Sequence, residues 1–140
     1  MATPDLITPF RVAINGMVHT FRTQRHMRIH LYVTLVTLLV AVVLPLRVRD
    51  VLVLFFMIGS VLVAEMFNSA IEAVVDLASP HYHPMAKFAK DIAAGAVLIA
   101  TIMAITAGAL IAIGDDAWER IKLGLTSEGF ALPFAARFVG

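Results

Sequence analysis

From Ile92 to Ile113 the chain runs for 22 residues without a charged side chain. A helix needs about 20 apolar residues to cross the hydrocarbon core of a bilayer, so this segment alone forces the chain toward a membrane-spanning fold. Two other stretches approach the same length. Leu31–Leu46 is uncharged up to Arg47, Arg49 and Asp50, and it reaches spanning length when Ile29 and His30 are added. Val51–Ala64 is uncharged but short, and spans only if its helix continues through Glu65 toward Leu77. Residues 65–77 hold a helical period, contain no proline or glycine and stop before Ser79-Pro80. That pattern predicts the continuation, with a boundary ahead of the proline.

The composition agrees, since 60% of the 140 residues are hydrophobic and only 15% are charged, where a soluble domain carries about 25% charged residues. The absence of cysteine excludes a disulfide framework, a thiolate zinc site and a thiol nucleophile. A net charge of +1 gives no basis for a nucleic-acid partner. Ahead of the first span, Phe10, Ala13, Ile14, Met17, Val18 and Phe21 recur at helical spacing, while Arg11, His19, Arg22 and Arg25 take other faces. Such a basic amphipathic helix lies in the interface plane. The expected fold is therefore an all-α membrane protein: an N-terminal amphipathic surface helix over residues 1–28, a three-span core over 29–114, and a C-terminal tail over 115–140 with no assigned role. With three spans, Arg11, Arg22, Arg25, Arg28, Lys87 and Lys90 fall on one side and Arg47 and Arg49 on the other. The excess of Lys and Arg puts the N-terminus and the 78–90 loop in the cytoplasm. In the tail, Trp118 suits an interfacial anchor, and the segment with Phe130, Leu132, Phe134 and Phe138 suits the membrane surface or a neighbouring subunit.

The chemistry concentrates on the second span. Glu65, Asn68, Glu72 and Asp76 follow one another at steps of 3, 4 and 4 residues, which aligns them on one helix face. At about 1.5 Å of rise per residue, Glu65 lies roughly 21 Å from Val51, inside the hydrocarbon edge. An ionisable side chain at membrane depth costs at least about 2.5–3.5 kcal/mol. A stripe of such groups is either an interhelical polar seam or a site that handles cations, protons or phosphate. Carboxylate and amide oxygens suit Mg²⁺, with phosphate oxygens and waters completing the shell. Lys90 and Asp91 are expected where the third span starts, so that a phosphate meets both Lys90 and the positive helix end. The loop SPHYHPMAKFAK brings His81 and His83 to the same surface, as nucleotide contacts or as ordinary interfacial histidines. No GxxxxGK[ST] or GxGxxG motif is present, so any use of ATP proceeds without a familiar soluble ATP-binding fold.

Two stretches carry a resemblance: Glu65-Met-Phe-Asn68-Ser-Ala-Ile-Glu72-Ala-Val-Val-Asp76, and Ala86-Lys-Phe-Ala-Lys90-Asp91-Ile-Ala-Ala-Gly95-Ala-Val. Together they resemble the small bacterial membrane lipid kinases, the prokaryotic diacylglycerol kinase and undecaprenol kinase family. Ala13-x-x-Gly16 and Arg28-Ile-His30 are weaker matches, similar to the undecaprenol-kinase-like branch. The resemblance covers roughly residues 10–113 and leaves out the tail. It implies a homotrimer of three-span subunits in the bacterial inner membrane, with active sites shared between subunits and facing the cytoplasm. It implies transfer of the γ-phosphate of MgATP to the hydroxyl of a membrane lipid, diacylglycerol or undecaprenol. Carried over by position, Glu65 is the general base, Asn68 orients the reacting groups, and Glu72 holds Mg²⁺. His81, His83, Lys90, Asp91 and Asp76 border the nucleotide.

One position departs from the pattern. Family members usually carry a glutamate four residues before Arg28 that shares the metal with Glu72, and here that residue is Gln24. A neutral amide is a poorer Mg²⁺ ligand than a carboxylate. Two alternatives account for the same residues: an inactive or re-purposed structural relative, and a small oligomeric ion or proton pathway lined by the acidic stripe. Retained activity with a weakened metal site predicts that Gln24→Glu lowers the Mg²⁺ concentration for half-maximal rate. An unchanged Mg²⁺ dependence rejects that prediction.

Overall fold

The computed structural model describes residues 7–43 and 46–114, and these form helices with no strand among them. Helix α1 spans Ile7–Thr23, α2 Arg25–Val43, α3 Val48–Ala78 and α4 Pro84–Ile113. The last three are each long and apolar enough to cross a membrane. Short connections join them, so α2, α3 and α4 run up, down and up. The most extensive packing is between α3 and α4, with α2 against α3 next and α1 touching α2 and α3 only locally. The chain is an all-α integral membrane protein. Trp118 and the rest of the C-terminal tail lie outside the described residues.

The helix boundaries have identifiable local causes, and three of them differ from the pattern-based expectation. The amphipathic helix stops at Thr23 and the first span already begins at Arg25. Gln24 stands at the join, where its N–H donates to the Thr20 carbonyl at 2.9 Å and its own carbonyl accepts from Arg28 at a long 3.4 Å. The hydroxyls of Thr20 and Thr23 donate back to the Gly16 and His19 carbonyls at 3.0 and 2.9 Å. Such bonds compete with the helix ladder, and they fall in the last turn before the break at Gln24. Helix α3 starts at Val48, earlier than expected, and its 31 residues do run through Glu65 to Ala78.

The start of α4 differs most. It begins at Pro84, with His83 as its cap, so Lys90 and Asp91 lie well inside the helix. At 1.5 Å of rise per residue, Lys90 is about 9 Å from the first helical residue. The expected meeting of Lys90 with the positive helix end is therefore corrected. The cause is legible in retrospect: proline is well suited to the first helical position, and a preceding polar side chain can satisfy a free N–H. Here His83 Nδ1 accepts from the Met85 N–H at 3.2 Å.

The distribution of burial is that of a protein dissolved in lipid. Seven described residues are buried: Met27, Val61 and Ala93, together with Asp50, Glu65, Asn68 and Ser69. Four of the seven are polar, while large apolar side chains along all three spans face outward. Hydroxyls on the spans are satisfied within their own helix, as Thr37 donates to Val33, Ser60 to Phe56 and Thr106 to Ile102, all at 2.8 Å. Lipid offers a hydroxyl no hydrogen-bonding partner, so this internal pairing keeps these residues tolerable there.

Asp50 is the buried charge at the far end of α3. It sits in the first turn, where a carboxylate meets the positive end of the helix dipole, and Arg49 Nε lies 3.6 Å from its Oδ1. Asp50→Ala is expected to cost about 1–2 kcal/mol of stability, read as a lower midpoint of SDS-induced unfolding in mixed micelles. An unchanged midpoint would assign Asp50 no stabilising role.

Candidate active site

Helix α3 carries the site because its length takes one face from the membrane interior to the aqueous end of the bundle. Along that face the exposure rises steadily. Glu65 is 3% exposed and Asn68 7%, Glu72 is half-buried, and Asp76 is exposed. The four residues occupy an arc of about 80° and a rise of about 16 Å. A group at the Glu65 end is shielded from water, whereas a group at the Asp76 end is reached from it.

Hydrogen bonds order the buried part. Asn68 Nδ2 donates to Glu72 Oε1 at 3.3 Å, and Ser69 Oγ donates to the Glu65 carbonyl at 2.9 Å. The first bond fixes the orientation of the amide, leaving Asn68 Oδ1 buried with no hydrogen-bond partner. Buried polar atoms are almost always paired, and an orphan costs about 1–3 kcal/mol. An amide oxygen held between two carboxylate-bearing positions can accept from a donor or ligate a hard cation.

The aqueous end is a cleft of about 300 Å³ under the α3–α4 turn. All five residues expected to border a nucleotide line it: Asp76, His81, His83, Lys90 and Asp91. Two ion pairs cross its wall, Lys90 Nζ to Asp76 Oδ1 at 2.5 Å and Lys87 Nζ to Asp91 Oδ2 at 2.5 Å. The turn is held by the Ser79 N–H donating to the Val75 carbonyl at 2.8 Å and by Ser79 Oγ donating to the His81 carbonyl at 3.0 Å. The structure gives His83 a definite task besides lining the cleft: with Nδ1 accepting the cap bond, the ring keeps Nε2 for another partner. Tyr82 and Lys87 also line the cleft and were not singled out from the sequence. Lys87 precedes Lys90 by three residues, and that helical spacing was the available signal.

Not every expected site residue converges within one chain. Gln24 sits at the α1–α2 join, and among the described residues no hydrogen bond ties its side chain to Glu72. Among the described residues no group of three or more histidine, aspartate or glutamate side chains gathers in a metal-holding arrangement. The donors present still suit a hard cation. Glu72 and the orphaned Asn68 Oδ1 offer carboxylate and amide oxygen, and Mg²⁺ characteristically takes one or two carboxylates and completes its shell with water and phosphate.

Three spans that bury a carboxylate-and-amide face, and open it at one end to a histidine- and lysine-lined cleft, define a helical membrane protein with a polar site at the end of its bundle. The chain belongs to the prokaryotic diacylglycerol kinase family, whose sequence profile matches residues 11–112. It is 42% identical over 106 residues to a diacylglycerol kinase of Synechocystis, covering 75% of this chain and 61% of that protein. It is 35% identical over 96 residues to the undecaprenol kinase of Bacillus subtilis, covering 69% of this chain and 78% of that protein. A shorter match of 45 residues, 51% identical, relates it to the diacylglycerol kinase of Escherichia coli, over 32% of this chain and 37% of that protein.

The unpaired Asn68 oxygen predicts a separation of stability from function. Asn68→Ala removes a buried orphan, so the stability of the ligand-free protein should change by less than about 1 kcal/mol, while Mg²⁺-dependent protection against unfolding disappears. A large loss of ligand-free stability would make Asn68 a structural residue.

Proposed function

We propose that the protein is a membrane lipid kinase, transferring the γ-phosphate of MgATP to the hydroxyl of a lipid alcohol, either diacylglycerol or undecaprenol. The observation that carries this reading is the burial of Glu65, 3% exposed, on a helix face that emerges at a lysine-lined aqueous cleft. A phosphoryl donor and a lipid hydroxyl differ in where they are soluble, and this face joins the two environments. Family membership and the names of the relatives support the same reaction class.

In this mechanism the lipid hydroxyl meets Glu65 just inside the hydrocarbon edge. Glu65 accepts the hydroxyl proton as the lipid oxygen attacks the γ-phosphorus. The bond from that phosphorus to the β–γ bridging oxygen breaks, and a lipid phosphate and ADP result. Little covalent work falls to the protein, because phosphoryl transfer is mostly positioning and charge neutralisation. Asn68 orients the reacting groups. Lys90, released from Asp76, meets the phosphates, and His81, His83 and Asp91 border the rest of the nucleotide. Glu72 with Asn68 Oδ1 would hold Mg²⁺, with Gln24 as a weak further donor. When bound, that ion neutralises charge on the phosphate oxygens.

The donor set on one chain leaves much of the metal's shell to phosphate, water and other protein groups, which supports a site completed by a neighbouring subunit of a homotrimer. Lys and Arg cluster at the N-terminal segment and at the α3–α4 turn, which supports an inner-membrane orientation with the site toward the cytoplasm.

The test is phosphate transfer from labelled ATP by the purified protein in lipid bicelles, offered diacylglycerol and undecaprenol in parallel. Transfer to one of them is expected. Glu65→Gln should reduce that transfer by about 10²-fold or more, with the assembly unchanged by size-exclusion chromatography. Wild-type turnover in Glu65→Gln would remove the base, and no transfer to either lipid at high Mg²⁺ would remove the kinase reading.

A further inference from the structure

The cleft under the α3–α4 turn holds two lysines, and only Lys90 has a task in the proposed mechanism. Lys87 and Lys90 both line it from α4. They are three residues apart, which sets their Cβ atoms roughly 5–6 Å from each other. Each is paired with a carboxylate of the same cleft, Lys87 Nζ with Asp91 Oδ2 and Lys90 Nζ with Asp76 Oδ1, both at 2.5 Å. The two pairs are not alike. Lys90 reaches across to α3 and its side chain is 35% exposed, whereas Lys87 bonds within α4 and its side chain is 61% exposed.

Lys87 stands where helix electrostatics disfavour a cation. Helix α4 starts at Pro84 and has no acidic residue in its first turn, and Lys87 lies about 4.5 Å from that first helical residue. The N-terminal end of a helix dipole is positive, so it opposes an ammonium group placed there. The pairing with Asp91 gives little in return. A lysine four residues ahead of an acid is the weaker orientation of such a pair, and exposed ion pairs contribute little to stability. Departures of this kind from local preference are expected at functional sites.

We propose that Lys87 is a second phosphate-binding residue of the nucleotide site, leaving Asp91 for the polyphosphate as Lys90 leaves Asp76. The proposal deepens the lipid-kinase reading and rests on it for the identity of the polyphosphate as ATP. A polyphosphate carries more charge than one carboxylate and so competes better for an ammonium group. Charge-assisted bonds to phosphate oxygens are among the strong ones. The exposed stem of Lys87 gives its ammonium group room to turn from Asp91 into the cleft. At the spacing of Lys87 and Lys90, one polyphosphate is within reach of both. Exchange of the two pairs also opens Asp76 and Asp91 to donors of the nucleotide itself.

The experiment uses the full chain in lipid bicelles and compares Lys87→Gln with Lys87→Arg. Lys87→Gln should raise KM for ATP by about 10-fold or more with KM for the lipid unchanged, and Lys87→Arg should stay near wild type. Calorimetric binding of inorganic tripolyphosphate, at fixed free Mg²⁺, reads the phosphate contact alone and should weaken by a similar factor in Lys87→Gln. The ligand-free midpoint of SDS-induced unfolding should stay the same or rise. A direct contact keeps its cost for tripolyphosphate when Lys87→Gln is made in an Asp91→Asn background. Loss of that cost would make Lys87 a neutralising neighbour of Asp91 and overturn the proposal. An unchanged KM for ATP would overturn it too, as would a lowered ligand-free midpoint, which makes the Lys87–Asp91 pair structural. Tripolyphosphate binding that needs Lys87, in a wild type that phosphorylates neither lipid, would keep the phosphate site and remove the kinase reading.

Discussion

The structure turns on a carboxylate placed where a bilayer does not tolerate one. Glu65 is 3% exposed on a spanning helix, and an ionisable group at such depth costs at least about 2.5–3.5 kcal/mol. The surrounding residues reduce that cost by giving the face a polar lining. Ser69 and Asn68 lie beside it, and Glu72 continues the face outward. The arrangement works only because α3 continues for 13 residues past Glu65. A helix ending at the membrane edge would leave the carboxylate without a route to water.

The same length couples the two ends of the site. The aqueous cleft is built from the last turn of α3 and the first two turns of α4, and the short turn between them is tied by backbone and side-chain hydrogen bonds. Its lysines are paired with Asp76 and Asp91. Exposed pairs of this kind contribute only about 0–1 kcal/mol, so they orient the lysines without holding them against a more highly charged partner. The buried end has the opposite character. Asn68 is oriented by its bond to Glu72, and its Oδ1 is buried without a hydrogen-bond partner.

Much of this was legible in the chain. The uncharged runs and the boundary before Pro80 gave the three spans, because hydrocarbon length is a hard constraint that few sequences meet by accident. The spacing of Glu65, Asn68, Glu72 and Asp76 gave the polar face, because helical periodicity needs no knowledge of packing. Helix ends were harder. The sequence puts Lys90 and Asp91 where the third span starts, whereas the Met85 N–H donating to His83 and the fixed φ of Pro84 start α4 six residues earlier than Lys90. Gln24 is a metal-ligand position only through the resemblance, and in the fold it stands at the join of α1 and α2. Pattern does not report the angle between two helices.

What holds such a bundle together is not the quantity that stabilises a soluble domain. Apolar side chains along α2, α3 and α4 face outward, and in lipid that exposure carries no penalty because acyl chains solvate them as well as leucine does. Helix association must then be directed by packing and by the few polar groups lipid cannot satisfy. The described residues follow that logic. The most extensive interface is α3 against α4, and α3 is the helix that carries all four buried polar residues. In a soluble protein the polar face would be placed on top of a core that is stable without it. Here the hydrogen bonds of Asn68 and Ser69 stay within α3, and the face reaches α4 through the Lys90–Asp76 pair at its aqueous end, so the buried residues of that face are left available for chemistry while packing of α3 on α4 sets their position.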